Sequence, residues 1–216
     1  MDKDFPIEYR KGFTNFLGLK IDLSKRPLIP REETEFWVEQ ALEDIRENSF
    51  VLDIFSGSGC IGIVILKRVK NSRVDFSDIE KAAVDQIRIN LKLNNVSSER
   101  YAVFQSDIFE KIKGKKYDYI FANPPYVAEE REDEVQPSVL RHEPQIAIFA
   151  GKKGLDVIRR FLKEARACLK EGGMIFMEFD PLQKADIESI LIKEKYRKSE
   201  FKKDQFNQWR WLRLKA

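Results

Sequence analysis

A chain of 216 residues, 43% hydrophobic and 35% charged, is long enough to bury one α/β core without staples and too apolar to be disordered. Its 39 basic and 36 acidic residues leave a net charge of only +3, which does not by itself mark a nucleic-acid binder. Cys60 and Cys168 belong to no C-x-x-C pair, the N-terminus has no apolar h-region, and no apolar run is of bilayer length; these features argue against a disulfide framework, a zinc site, secretion and membrane insertion, and point to the cytoplasm.

Along the chain, residues 13–23 read as an extended or hairpin piece and residues 32–47 as a helix with Trp37, Ala41 and Ile45 on one side. Residues 1–48 are thus expected to pack as an N-terminal segment on a domain spanning 49–216. Residues 50–55 (FVLDIF) predict a strand, Ser56-Gly57-Ser58-Gly59 a tight turn, and the apolar run 60–66 a helix. A second pair follows, with a strand over 73–78 and a helix over 81–93. Residues 101–104 predict a third strand, and 117–122 (YDYIFA) a fourth that runs into Asn123-Pro124-Pro125-Tyr126. A helix over 155–169 is expected to close at Gly172-Gly173 before a strand over 174–179. A last helix over 182–192 precedes two strands, 196–201 and 208–214, paired around a turn at 204–207. This alternation predicts a doubly wound, mainly parallel seven-stranded sheet with helices on both faces, binding ligands beyond the carboxyl ends of its strands.

The stretch Asp53 to Gly59 joins the first strand to its helix, where small residues let backbone N–H groups approach a ligand. Asp78 follows Gly57 by 21 residues, the place from which an acid can accept from both ribose hydroxyls of an adenosine-type cofactor. Neither G-x-G-x-x-G nor a P-loop is present, and Asp53 would repel a pyrophosphate but suits a cationic amino-acid moiety. Those properties favour S-adenosylmethionine, with Phe55, Ser56, Gly57, Ser58 and Gly59 around it. After the third strand, Asp107 is placed to accept from an adenine amino group with Ile108 beside the base; an N-cap or turn residue is the equally simple alternative for Asp107.

Two prolines after a buried strand remove N–H donors, so the loop at 123–126 offers mainly acceptors. A planar amino or amide nitrogen can donate one hydrogen to the Asn123 side-chain oxygen and another to the Pro124 carbonyl, which localises its lone pair. Tyr126 can stack on the planar group and align it. Asn123, Pro124 and Tyr126 are therefore the catalytic candidates, with Pro125 completing the substrate loop. This chemistry needs no metal, and the lone histidine, His142, is read as a surface or packing residue.

These residues resemble the HemK/PrmC family, the glutamine methyltransferases of peptide-chain release factors. The likeness runs through Leu28-Ile29-Pro30-Arg31-Glu32-Glu33-Thr34-Glu35, the glycine turn, Asp78, Asn90, Asn-Pro-Pro-Tyr, Glu143-Pro144, residues 151–156, Lys203-Asp204 and Arg210. It implies a class I methyltransferase fold and methylation of the glutamine amide of a Gly-Gly-Gln motif, with a release factor as partner. It carries cofactor contact to residues 55–59, Asp78, Ile108 and Asn123, and substrate contact to residues 123–126. The stretch around Arg31 reads as a lid or core-facing helix start, with Arg31 and Glu33 as candidates for the substrate channel.

The chain departs from the family pattern in three places. Phe55 replaces the first glycine, which is expected to restrict the turn and to line or narrow the methionine side of the pocket. Asp180 stands where a glycine is usual. Residues 1–12 are too few for the separate N-terminal helical domain of bacterial members. An adenine-amino methyltransferase of DNA or RNA, a methyltransferase of another protein, and a non-catalytic module of the same fold are the competing readings. With no large insertion and only two short basic runs, 111–116 and 193–203, direct nucleic-acid binding is not expected.

Overall fold

The computed structural model describes residues 4–215. A short helix, α1 (Ile7–Lys11), leads into an antiparallel hairpin of β1 (Phe13–Phe16) and β2 (Leu19–Asp22), and α2 (Glu32–Ala41) follows. The sheet region then runs β3 (Phe50–Ile54), α3 (Cys60–Arg68), β4 (Arg73–Asp78), α4 (Lys81–Leu93), β5 (Tyr101–Gln105) and β6 (Tyr117–Ala122). Beyond β6 come α5 (Pro137–His142), α6 (Asp156–Ala165), β7 (Leu169–Glu178), α7 (Lys184–Lys193), β8 (Lys198–Lys203) and β9 (Trp209–Lys215).

Seven strands form one sheet in the order β5-β4-β3-β6-β7-β9-β8. The first five pair in parallel, and β9 inserts antiparallel between β7 and β8. Alternate side chains of the central strands enter two cores. Val51, Tyr119, Phe121 and Phe176 join α3 and the N-terminal hairpin and helix on one face; Leu52, Ile54, Ile120 and Met177 join α6 and α7 on the other. Burial on both faces is why these strands carry nearly continuous apolar runs. The order in which strands are added to the sheet reverses between the parallel neighbours β3 and β6, so the loops after them flank the crevice where such folds bind ligands.

Several boundaries differ from those predicted, most of all at two helix ends. The helix expected over 32–47 ends at Ala41, with a single 3-10 turn at Leu42–Asp44, and Ile45 is extended. There the Tyr119 hydroxyl donates to the Asp44 carbonyl at 3.0 Å and accepts from Arg46 N–H at 3.3 Å, so a strand side chain takes groups that another helical turn would use. The helix expected over 155–169 ends at Ala165, after a start at Asp156. Leu169 already pairs with Tyr117, and Gly172, at φ +73°, lies in the irregular stretch between that pair and Tyr119–Met174 instead of closing the helix. Asp180 caps a 3-10 turn, Pro181–Gln183, accepting from Leu182 N–H at 2.9 Å.

Candidate active site

Beyond the carboxyl ends of β3, β4 and β5 lies a cleft of about 280 Å³. The turn after β3 forms its floor. Ser56 ties that turn to β4, donating from Oγ to Asp53 O at 2.6 Å and accepting from Ser77 N–H at 3.0 Å. Gly57 donates its N–H to Asp78 Oδ2 at 2.8 Å, and Glu80 N–H donates to Asp78 Oδ1 at 2.9 Å. Each Asp78 oxygen therefore keeps acceptor capacity. Burial raises the Asp78 pKa, with these N–H groups opposing. Asp107 and Ile108 line the cleft after β5, Asp107 paired with Arg160 of α6 at 2.8 Å.

Phe55 keeps the glycine-like turn by adopting φ +59° itself, a left-handed conformation that a side chain takes only at a cost. Its ring lines the cleft and packs edge-on against Phe161 of α6, with centroids 5.8 Å apart.

Asp53 does not line the cleft. It is 1% exposed, and its side chain folds under the turn to accept from Gly62 N–H at 2.9 Å, while Oδ1 has no hydrogen-bond partner. Burial pushes its pKa well above the ordinary carboxylate range; the Gly62 N–H opposes this, and the charge of Asp78 adds to it. A Cβ at Gly62 would lie 2.3 Å from the Phe76 ring and 3.0 Å from Asp53 Oδ2, so that helical glycine admits the arrangement. Gly59 also stays outside the lining. At φ +79° it donates to Ser56 O at 2.7 Å and caps α3.

A second cavity of about 190 Å³ lies beside the first. The two share Leu28, Arg31, Asn123 and Ala147. Pro124 and Tyr126 line the second cavity, whereas Pro125, expected with them, lines the first cleft. Successive residues of an extended chain point to opposite sides, which accounts for the split. Asn123 belongs to both.

The loop is fixed from behind by Glu178, the last residue of β7, which is 1% exposed. Its Oε2 accepts from Thr34 Oγ1 and Trp37 Nε1, each at 2.6 Å, and its Oε1 accepts from the Tyr126 hydroxyl at 2.9 Å. Asn123 Nδ2 donates to Thr34 Oγ1 at 3.3 Å. Burial raises the Glu178 pKa, while the three donors and the charge of Arg210 oppose the shift. Tyr126 is raised too, by burial and then by the charge of Glu178. Gln183 holds the other end of Tyr126, donating from Nε2 to its carbonyl at 2.8 Å and to Gly154 O at 3.0 Å.

The segment from Lys25 to Arg31 walls both cavities. Glu143, 5% exposed, holds it by accepting from Ile29 N–H at 2.9 Å and from Arg31 at 2.6 Å. Asn90 ties the hairpin to the turn, accepting from Asp22 N–H at 2.7 Å and donating to Ser58 O at 2.9 Å. Arg31 lines both cavities, whereas Glu33 lines neither. His142 packs on Phe5 with ring centroids 5.0 Å apart and also lies outside both. Among the described residues, no group of three or more His, Cys, Asp or Glu is placed to hold a metal. No helix of the described residues is long and apolar enough to cross a membrane.

Sequence reading missed Thr34, Trp37, Glu178, Gln183, Gly62 and Arg160. Two signals were present: an acid inside the apolar strand Met174-Ile175-Phe176-Met177-Glu178-Phe179, and an isolated glycine in the apolar helix α3.

The model of the methyltransferase small domain family matches residues 33–146. The release factor glutamine methyltransferase of Streptococcus pneumoniae is 38% identical over 209 residues, covering 96% of this chain and 74% of that protein. This chain belongs to the release factor glutamine methyltransferase family. The Clostridium acetobutylicum member is 35% identical over 206 residues, covering 94% of this chain and 72% of its own length. The fold of this methyltransferase is shared with the ribosomal protein L11 methylase of Lactobacillus delbrueckii subsp. bulgaricus, at TM-score 0.64 and 19% identity over 90% of this chain and 82% of that one. A 16S rRNA N2 G1207 methyltransferase of T. Thermophilus, solved with AdoMet and guanosine, aligns at TM-score 0.70 and 19% identity, covering 94% of this chain and 49% of that chain. The seven-stranded sheet is accordingly that of the class I methyltransferases.

Proposed function

We propose that this enzyme transfers the methyl group of S-adenosylmethionine to the side-chain amide nitrogen of the glutamine in a release factor Gly-Gly-Gln motif. The observation that carries the reading is that Asn123 lines both cavities. The larger cleft fits the cofactor. Asp78 has spare acceptor sites for a ribose diol, Ile108 offers an apolar wall and Asp107 an acceptor at the adenine end, and Phe55 to Ser58 form the floor. Gly59 shapes the turn.

When bound, S-adenosylmethionine supplies an electrophilic methyl on a cationic sulfur, which leaves as a neutral thioether. The protein's share is to position the acceptor. An amide nitrogen is a weak nucleophile because its lone pair is delocalised; donating one hydrogen to Asn123 Oδ1 and the other to the Pro124 carbonyl concentrates electron density on it. Tyr126, fixed at its hydroxyl by Glu178 and at its carbonyl by Gln183, offers a ring face for the planar amide. Pro125 closes the cofactor side of the loop. The methylated nitrogen then loses a proton to solvent, so no strong base is required. The buried, unpaired thiols Cys60 and Cys168 suit a cytoplasmic setting.

Incubation with methyl-labelled cofactor and, side by side, a release factor, tRNA and DNA tests this reading. Label in the factor alone is the expected result. Label on adenine with an unmodified factor would overturn the glutamine assignment, and no cofactor binding by calorimetry would overturn the catalytic one.

A further inference from the structure

We infer that Thr34 and Glu178 set the polarity of the Asn123 side chain, so that its oxygen and not its NH2 faces the acceptor nitrogen. The inference rests on the glutamine reading for its consequence but on hydrogen-bond logic for its content. The two ends of a carboxamide have nearly the same shape, so only partners decide which end points where. Trp37 Nε1 can only donate, which makes Glu178 Oε2 an acceptor at 2.6 Å. Thr34 Oγ1 lies at 2.6 Å from the same oxygen, and an ionised carboxylate can only accept, so the single hydroxyl proton of Thr34 points at Glu178. Thr34 is left with lone pairs alone toward Asn123. The Asn123 atom facing it at 3.3 Å must therefore be the donor, Nδ2.

Reversing the amide would set oxygen against lone pairs at Thr34 and NH2 against the NH2 of the incoming amide. Both contacts would be unfavourable, so the chain Asn123 to Thr34 to Glu178 admits one orientation. The third donor, the Tyr126 hydroxyl, takes Oε1 at 2.9 Å, so both carboxyl oxygens receive donors, and with the charge of Arg210 these oppose the upward pull of burial on this group. Thr34 and Glu178 are positioning residues. They act through Asn123, from α2 and β7, on a loop that belongs to neither element.

The test uses the full chain, labelled with ¹⁵N, and three substitutions. Thr34→Val keeps the shape of the side chain and removes the hydroxyl, Thr34→Ser keeps the hydroxyl, and Thr34→Ala removes it with a side chain that α2 tolerates well. The Asn123 side-chain NH2 resonances, assigned by their loss in Asn123→Ala, are expected to move in Thr34→Val and Thr34→Ala and to stay near wild type in Thr34→Ser. In methyl transfer to a release factor, Thr34→Val is expected to lower kcat by about 10-fold or more with KM for S-adenosylmethionine within about 2-fold, and Thr34→Ser to stay within about 3-fold of wild-type kcat. If Thr34→Val fails to fold, Thr34→Ala carries the comparison. Asn123 resonances that do not move on loss of the hydroxyl, or a Thr34→Ser enzyme as impaired as Thr34→Val, would overturn the proposal. A wild-type enzyme inactive on the factor would defeat the glutamine reading, while the resonances would still decide this one.

Discussion

Gly57 donates its backbone N–H to Oδ2 of Asp78 at 2.8 Å, joining the turn after β3 to the acid that ends β4. Because Glu80 N–H takes the other oxygen at 2.9 Å, the carboxylate is a fixed acceptor before any ligand arrives. A carboxamide has one acceptor oxygen, so Asp78→Asn would turn an NH2 toward one of these N–H groups and toward a ribose hydroxyl. The Kd for S-adenosylmethionine is expected to rise by about 10-fold or more. Titration calorimetry checks it, and an unchanged Kd would remove Asp78 from the cofactor site.

Asp53 leads to a pH effect. Its folded pKa is raised above the ordinary 3.8, so the protonated carboxyl favours the fold. That contribution is complete below the unfolded value and is lost as pH rises through the folded one. Asn at this position does not titrate. In cofactor-free protein, the Tm of Asp53→Asn minus that of wild type is expected to grow as pH is raised from about 4 to about 8. A difference that stays flat over this range in thermal melts would mean that Asp53 titrates in the fold as it does in the unfolded chain.

Gly154 sits at φ +69°, and a Cβ there would come 2.1 Å from the Tyr126 carbonyl and 2.7 Å from Gln183 Nε2. Gly154→Ala must push the substrate loop or the Gln183 side chain aside. Denaturant unfolding is expected to show a loss of about 2 kcal/mol or more, with kcat falling as Tyr126 shifts. Wild-type stability in this variant would show that the loop gives way without cost.

At Phe55 two effects compete. Glycine would relieve a left-handed backbone cost of about 1 kcal/mol, but it would also remove a half-buried ring from Phe161, and full burial of a phenyl is worth about 3 kcal/mol or more. The packing loss is the larger, so Phe55→Gly is expected to be less stable by about 1 kcal/mol in urea titrations. A more stable variant would mean that backbone strain outweighs the packing of the ring.

Legibility in the sequence followed the range of the interactions. The parallel strands and the turn at 56–59 were readable because apolar runs and small residues act locally, and the Asn-Pro-Pro-Tyr loop announced its lack of donors. Thr34 and Glu178 were not readable as partners. They lie 144 positions apart and meet only because α2 packs over the end of β7. Asp53 misled for a related reason: its position in the chain is that of a cofactor ligand, but its side chain is held under the turn by the N–H of Gly62, nine residues on. The early end of α2 depended likewise on a tyrosine hydroxyl from β6.

Tandem mass spectrometry of the Gly-Gly-Gln peptide of a release factor incubated with this enzyme and S-adenosylmethionine tests the central claim most directly. The account predicts one methyl group on the glutamine side-chain nitrogen, made by wild type and reduced about 100-fold or more in Asn123→Ala. A factor unmodified by wild type, or one modified equally by Asn123→Ala, would contradict it.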